Sequence, residues 1–345
     1  MKRLLLLGAA VMLLLGCVGG AAAPSTSGGP APSAAAPARD RIRVAYAAQS
    51  GSVAAAFMAK EAGLFAKYGL EAELQFIASG PTLIQSMVAG EVDFGELAAP
   101  SSMVAFLEGA DTVWITNGIN RPTLLVVTPT EVQRLEDLRG RSVGVTRLGT
   151  VTDLFMRFAL RGAGLNPGAD VQVLQMGGQP ETVSGLQVGG IAAGVLSPPA
   201  HLQAVALGNM HVLLDLASLG IPWPFSGTAT TGARIAANPE RMRAYAKAYT
   251  EAIHLLQTDQ ERSLDVLGKY ALINDRGIAL DTWNLLRPEL SMPPMPQREA
   301  MDIVAREALI PQSPKARDIP LEAYYDDRFV RELVDNGFVA NLTGR

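Results

Sequence analysis

The stretch Met87–Leu97, MVAGEVDFGEL, places one glycine before a short alternating segment and a second glycine inside it. Such a frame reads as the end of a helix turning directly into a short strand. Ninety-nine residues on, the frame returns as LQVGGIAAGVL, Leu186–Leu196. Gly90 falls on Gly189, Val92 on Ile191, Gly95 on Gly194 and Leu97 on Leu196, whereas Asp93 falls on Ala192. A corner written twice predicts two similarly built α/β lobes.

Working outward from the first corner, the pattern is strand, helix, strand, helix, strand. Arg41–Ala47 alternates Ile42, Val44 and Tyr46 with polar or small neighbours, which is the period of a strand. Gln49-Ser50-Gly51-Ser52 interrupts it, and Val53, Phe57, Leu64, Phe65 and Tyr68 then follow helical spacing, with Ser50 or Ser52 available as N-cap. A second strand is predicted over Leu70–Ile77, a helix opened by Ser79-Gly80-Pro81 and ended by Ala89-Gly90, and a third strand over Val92–Leu97.

Around the second corner the order repeats. Arg141–Val145 is a strand, and Leu148-Gly149-Thr150 turns into a helix with Val151, Leu154, Phe155 and Phe158 on one face. Thr150 and Asp153 have capping-box spacing. Asp170–Met176 is the next strand, Gly177-Gly178-Gln179-Pro180 opens the next helix, and Ile191–Leu196 closes the unit. The run Pro122–Thr128 is suited to crossing between lobes, with a return crossing near Thr228–Ile235. Helical patterns follow from Asn238-Pro239-Glu240 onward. Lobe one is thus expected at 41–125 plus 232–345, and lobe two at 126–231.

The N-terminus carries an address. Met1-Lys2-Arg3 is basic, Leu4–Leu15 is an apolar run of signal-peptide length, and Leu14-Leu15-Gly16-Cys17 resembles a bacterial lipoprotein box. A dozen apolar residues fall short of the roughly 20 that a membrane-spanning helix needs. Cys17 is the only cysteine of 345 residues, so a disulfide, a thiolate metal cluster and Cys-pair redox chemistry are excluded. Its expected role is to carry lipid and anchor the protein outside the cytoplasm. Residues 18–40, rich in Ala, Gly, Pro, Ser and Thr, read as a flexible tether. The net charge of −4 and the lack of a basic stripe argue against a nucleic-acid partner.

The segments AAFMAKEAGLFAKYGLEAELQFIASGPTLIQSMVAGEVDFGEL (Ala55–Leu97), LEDLRGRSVGVTRLGT (Leu135–Thr150) and FVRELVDNGFVANL (Phe329–Leu342) carry a family resemblance. They resemble the extracytoplasmic solute-binding proteins of ABC importers, of the sulfonate, nitrate, taurine and thiamine-pyrimidine precursor type. The resemblance covers the chain after the tether, and Glu61–Asp93 is its most specific part. It implies an α/β protein with the type II periplasmic-binding-protein fold, two α/β lobes joined by a two-strand hinge and closing over a small solute, with an importer permease as partner. It also implies a monomer without cofactor. One departure stands out: relatives commonly keep a Gly-x-x-Asp-Ala run at the second corner, where this chain has Gly189-Gly190-Ile191-Ala192-Ala193. The resemblance extends to thiamine-pyrimidine synthases, but those rely on a Cys-rich motif that this chain lacks. A sensor that feeds a membrane signalling protein is the other alternative.

Candidate ligand-binding residues lie where predicted strands end and helices begin, because helix-initial N–H groups there can hold an anion or a carbonyl oxygen. In lobe one these are Gln49, Ser50, Ser52, Ser79, Gly80, Ala99, Pro100 and Ser101; in lobe two, Gly149, Thr150, Gly178, Gln179, Ser197 and Pro198. All are neutral, and Arg147 is the only cation immediately beside one of these corners. A small polar organic solute is expected, either a compact anion held by helix ends or a flat heterocycle on a ring such as Tyr46, Trp114, Trp223 or Phe225. Catalytic residues and metal ligands are not expected. His201, His211 and His254 stand apart without metal-ligand spacing, and no serine lies in a nucleophile-elbow motif. Glu91, Asp93 and Glu96 could suggest an acid/base pair, but on a strand Glu91 and Asp93 share a face and read as solvated neighbours or lobe-edge hydrogen-bond partners.

Overall fold

Both quoted corners are the same structural device. Gly90 and Gly189 take positive φ (85° and 71°) just past a helix, a backbone that glycine adopts without strain. Each helix then closes in the same way, with Glu91 N bonded to Ser86 O and Gly190 N to Gly185 O, both at 2.9 Å. Further along, a Cβ on Gly95 would meet Leu83 and Met87, and one on Gly194 would meet Thr182 and Leu186. Both glycines let a helix lie directly on its strand.

The computed structural model describes residues 39–344; Cys17 and most of the tether lie outside them. The chain forms β1 (Asp40–Tyr46), α1 (Ala54–Glu61), α2 (Leu64–Lys67), β2 (Leu70–Phe76), α3 (Gly80–Val88), β3 (Phe94–Leu97), α4 (Ala99–Leu107), β4 (Val113–Ile119) and β5 (Leu125–Pro129). It continues through β6 (Ser142–Val145), α5 (Val151–Gly162), β7 (Gln172–Gln175), α6 (Gln179–Gln187), β8 (Ala193–Leu196), α7 (Ala200–Val205), β9 (Met210–Asp215) and β10 (Ser226–Thr230). Helices complete it: α8 (Gly232–Ala237), α9 (Pro239–Thr258), α10 (Gln260–Tyr270), α11 (Arg276–Leu286), α12 (Arg298–Val304), α13 (Arg328–Asp335) and α14 (Phe338–Thr343). None of the described helices is long and apolar enough to cross a membrane.

The strands make two five-stranded sheets, ordered β2-β1-β3-β10-β4 and β7-β6-β8-β5-β9. Place for place the orders correspond, and in each the fourth strand is antiparallel to both neighbours. That fourth strand is the one delivered from the other lobe. The two crossings are hydrogen-bonded side by side, Trp223 N to Asn120 O and Phe225 N to Ile119 O at 2.9 Å, and Leu216 N to Leu124 O at 3.0 Å. The return crossing therefore precedes Ser226, and β10 already belongs to the first sheet; its Gly- and Thr-rich sequence, SGTAT, carries no apolar alternation to announce it. Asp40, assigned to the tether, is instead the first residue of β1, held by its N–H on Gly69 O and by Arg241 on its carboxylate.

The missing aspartate of the second corner has a physical reason. Asp93 N bonds Arg43 O and Ala192 N bonds Ser142 O, so the two pairs occupy equivalent places. Burial raises the Asp93 pKa, but hydrogen bonds from Arg43 and Arg234 outweigh it and hold the carboxyl below its usual range. The second lobe has Ser142 where the first has Arg43. An aspartate there would lack this cation, and alanine fills the buried place.

Glu96, one strand position from Gly95, is fully buried. Its Oε1 accepts hydrogen bonds from Tyr245 (2.8 Å) and from Thr228 of β10, while Oε2 has no partner. Burial pushes its pKa up to about 7, against the hydrogen bonds from Thr228 and Tyr245 that pull it down. It is an internal brace for the returning strand.

Candidate ligand-binding site

In the first sheet the three predicted corners converge at the carboxyl ends of β1, β2 and β3. Ala47 N donates to Glu96 O and Ser79 N to Ala47 O, which stitches the three turns together. A Cβ on Gly80 would sit 2.2 Å from Ser101 Oγ, so the first turns of α3 and α4 are in contact. Ser79 holds φ 76°, ψ 141°, a region open chiefly to glycine. Strain of that kind persists where the surroundings fix it, and it often marks a site. Ser79 Oγ bonds Thr82 Oγ1 at 3.0 Å, and Ser50 Oγ bonds Ser52 Oγ at 2.7 Å. Neither Ser50 nor Ser52 caps a helix as expected, because a short 3-10 turn, Gly51–Val53, intervenes. Ala99 and Pro100 are buried, with Ala99 N bonded to Pro224 O of the return crossing; Gln49 is exposed.

In the second sheet, Gln179 Oε1 accepts from Ser197 N at 3.0 Å, bringing those two corners together. Gly178 O accepts from Thr182 at 2.7 Å, and the buried Pro198 precedes α7. Gly149 N donates to Asp153 Oδ2 at 2.8 Å, so the capping carboxylate engages one residue before the expected N-cap. Thr150 Oγ1 donates to Arg147 O instead, at 2.7 Å. Thr146 and Thr152, which sequence reasoning missed, join Thr150 in a cluster of three hydroxyls, with Thr146 to Thr152 at 2.8 Å and Thr150 to Thr152 at 3.1 Å. The signal was present as the run TRLGTVT, three threonines around one turn. Thr146 O also accepts from Gly177 N at 2.9 Å, which ties this corner to the Gly178 corner.

Several N–H groups in the first turns of α3 and α5, those of Gly80, Thr82, Val151 and Thr152, have no acceptor among the described residues. Together with the hydroxyls they offer donors from both sheets. Such an arrangement suits a small anion or carbonyl oxygen and carries out no bond chemistry by itself. No group of three or more His, Cys, Asp or Glu among the described residues could hold a metal ion.

The lobes also meet across α11. Gly51 lies against Leu286 and Thr282 of that helix, and α11 touches α7 of the second lobe. His201 of α7 is buried there, and burial lowers its pKa to about 4 against the Ser197 backbone and the carboxylates of Asp215 and Asp281. Of the aromatic candidates, Trp114, Trp223 and Phe225 are buried, while Tyr46 is half-buried against Phe57 and Phe76. Two surface hollows of about 530 and 500 Å³ are lined by Arg298, Glu299, Asp302 and Leu321, and by Glu61, Ala62, Arg262, Asp265, Val266 and Lys269. No corner residue lines either.

Two matching α/β sheets joined by paired crossings, with donor-rich corners at the strand ends, define a periplasmic-binding-protein fold. The chain belongs to the NMT1-like family, whose model matches residues 35–266. A protein of Brucella abortus (strain 2308), named as a binding protein, is 26% identical over 251 residues, covering 70% of this chain and 75% of its own. The crystal structure of the periplasmic aliphatic sulphonate-binding protein of Escherichia coli superposes with TM-score 0.69 at 20% identity, covering 80% of this chain and 94% of that one. That of the periplasmic nitrate-binding protein of Synechocystis PCC 6803 gives 0.69 at 16% identity, covering 86% and 89%. These relatives are binding proteins, not enzymes.

Proposed function

We propose that this chain is the substrate-binding component of an ABC importer, capturing a small polar organic solute between its lobes. The observation that carries this reading is the convergence of unpaired helix N–H groups and hydroxyls at the carboxyl ends of strands in both sheets. The site comprises the corners of Ser50, Ser79, Gly80 and Ser101 on one side and of Thr150, Gln179 and Ser197 on the other. An oxyanion is the ligand group best matched to it, since several aligned N–H groups can replace the water that a buried charge loses. Relatives named for sulphonate and for nitrate agree with that chemistry.

A thermal-shift screen with ethanesulfonate, taurine, nitrate, benzoate and a hydroxymethylpyrimidine finds the class, and calorimetry then measures Ser79→Ala and Thr150→Ala. Each loss of a hydroxyl is expected to weaken binding by about 0.5–1.5 kcal/mol. A ligand whose affinity survived both substitutions unchanged would place the site elsewhere.

The apolar run before Cys17 supports an extracytoplasmic protein held at the membrane by lipid on that cysteine. Cys17→Ser should move the protein to the soluble fraction or leave its precursor uncleaved. Fatty-acid labelling that persisted in Cys17→Ser would rule the anchor out.

A further inference from the structure

Each tryptophan indole N–H is a hydrogen-bond donor that cannot accept, so a buried one needs an acceptor. Of the three tryptophans, Trp114 Nε1 donates to Asn117 Oδ1 at 3.1 Å and Trp283 Nε1 donates to Leu256 O at 2.7 Å. Trp223, fully buried, has no acceptor for its N–H among the described residues. Its position is fixed from several sides. The backbone N–H of Trp223 bonds Asn120 O on the outgoing crossing, and the carbonyl of its neighbour Pro224 accepts from Ala99 N at the start of α4. Its ring stands edge-on to Phe155 (5.1 Å) and to Phe158 (6.4 Å) of α5. The indole thus lies where the hinge, the first-lobe corner of Ala99 and the second-lobe helix that begins after Thr150 come together.

Neighbouring segments of the chain carry other buried donors without a partner. Thr123 on the outgoing crossing, Ser226 at the start of β10 and Ser102 in the first turn of α4 are buried, and each has a hydroxyl without a hydrogen-bond partner. Valine, alanine or phenylalanine would fill such places without the desolvation penalty.

We propose that Trp223 is the hinge-side contact of the solute site, its indole N–H donating to an oxygen of the bound solute. The assignment rests on the binding reading above and adds to it a specificity-determining residue. A solute with an anionic or carbonyl oxygen at this end satisfies the donor; an amine or ammonium group there does not. Because the indole is covered in this form, the solute reaches it when the lobes part, and closure then sets the N–H against solute instead of water.

Trp223→Phe keeps a ring against Phe155 and Phe158 but removes the donor together with the bulk of the fused five-membered ring. Calorimetry with ethanesulfonate, benzoate and nitrate on wild type and Trp223→Phe is the first measurement. For the probe that binds, the substitution is expected to weaken affinity about tenfold, measured well below the melting temperature, which the cavity left by the smaller ring lowers. The second measurement uses wild type alone, labelled with ¹⁵N-tryptophan: one indole proton signal should move downfield on saturation with that probe, as expected for a new hydrogen bond. Equal affinity of the two proteins, or three indole signals that stay in place while wild type binds, overturns the role of Trp223 and leaves the binding reading standing. Wild type that binds none of the three probes overturns the oxyanion reading of the site, and the Trp223 assignment with it.

Discussion

Replacing Gly227 by alanine should destabilise the protein by about 3 kcal/mol or more, the upper end of what overpacking a core usually costs. A Cβ at this position would lie 2.2 Å from the carbonyl oxygen of Thr116 and 2.9 Å from Asn117 Cα. Both obstacles are backbone, so no rotamer change can relieve them. The neighbouring strand cannot withdraw without cost, since Asn117 N bonds Pro294 O at 2.8 Å and its side chain serves Trp114 and Ile119. Retreat of β10 is blocked on its other side, where Gly227 pairs with Leu97 of β3. The register of β10 against β4 already shifts between Ser226 and Gly227, which shows how the strand accommodates this close approach. Chemical denaturation of Gly227→Ala is the direct check, and an unfolding free energy within about 0.5 kcal/mol of wild type would refute the account of this contact.

Glu96→Gln should change the pH dependence of stability by a comparable amount. The buried carboxyl binds its proton more tightly in the folded chain, where its pKa is about 7, than in the unfolded one, whose ordinary value is 4.5. Folding therefore takes up a proton between these values, and the contribution of Glu96 is fully present below the unfolded pKa and lost as pH rises through the folded one. At about 1.4 kcal/mol per unit, wild type loses roughly 3 kcal/mol from this group on going from acid to pH 8. Glutamine keeps an oxygen for Tyr245 and Thr228 and cannot ionise. The variant is thus expected to be the more stable protein at pH 8 and to lose that advantage near pH 5. Parallel pH–stability curves for the two proteins would show that Glu96 titrates alike in the folded and unfolded chains, against its burial-raised pKa. Tyr245 and Tyr249 remain neutral donors throughout, because burial and the nearby carboxyl raise their pKa values well above the ordinary tyrosine range.

What could be read from the chain depended on the range of the interaction responsible. Gly90 and Gly189 announced helix ends, and the alternating residues after them announced strands, because backbone freedom and side-chain alternation are properties of a few neighbouring residues. The repeated order of elements, and hence two similar sheets, followed from these local signals. The corners of Ser79-Gly80 and Thr150 were visible for the same reason, whereas the strain at Ser79 and the joining of Thr146 and Thr152 to Thr150 were not. Those depend on the conformation that the whole corner adopts.

The sequence by itself determined the glycine corners, the strand and helix periods, the lack of a cysteine pair and the two-unit plan. Tertiary structure alone decided that Asp93 has cationic partners in Arg43 and Arg234 while Ala192 has none, that Glu96 is sealed under α9, that SGTAT returns to the first sheet, and that Trp223 is left with an unpaired donor at the hinge. The physical reason is the same in each case: charge pairing, desolvation and hydrogen-bond satisfaction are set by groups that folding brings together from 50 to 149 positions away along the chain, as Arg43 with Asp93 and Glu96 with Tyr245 show.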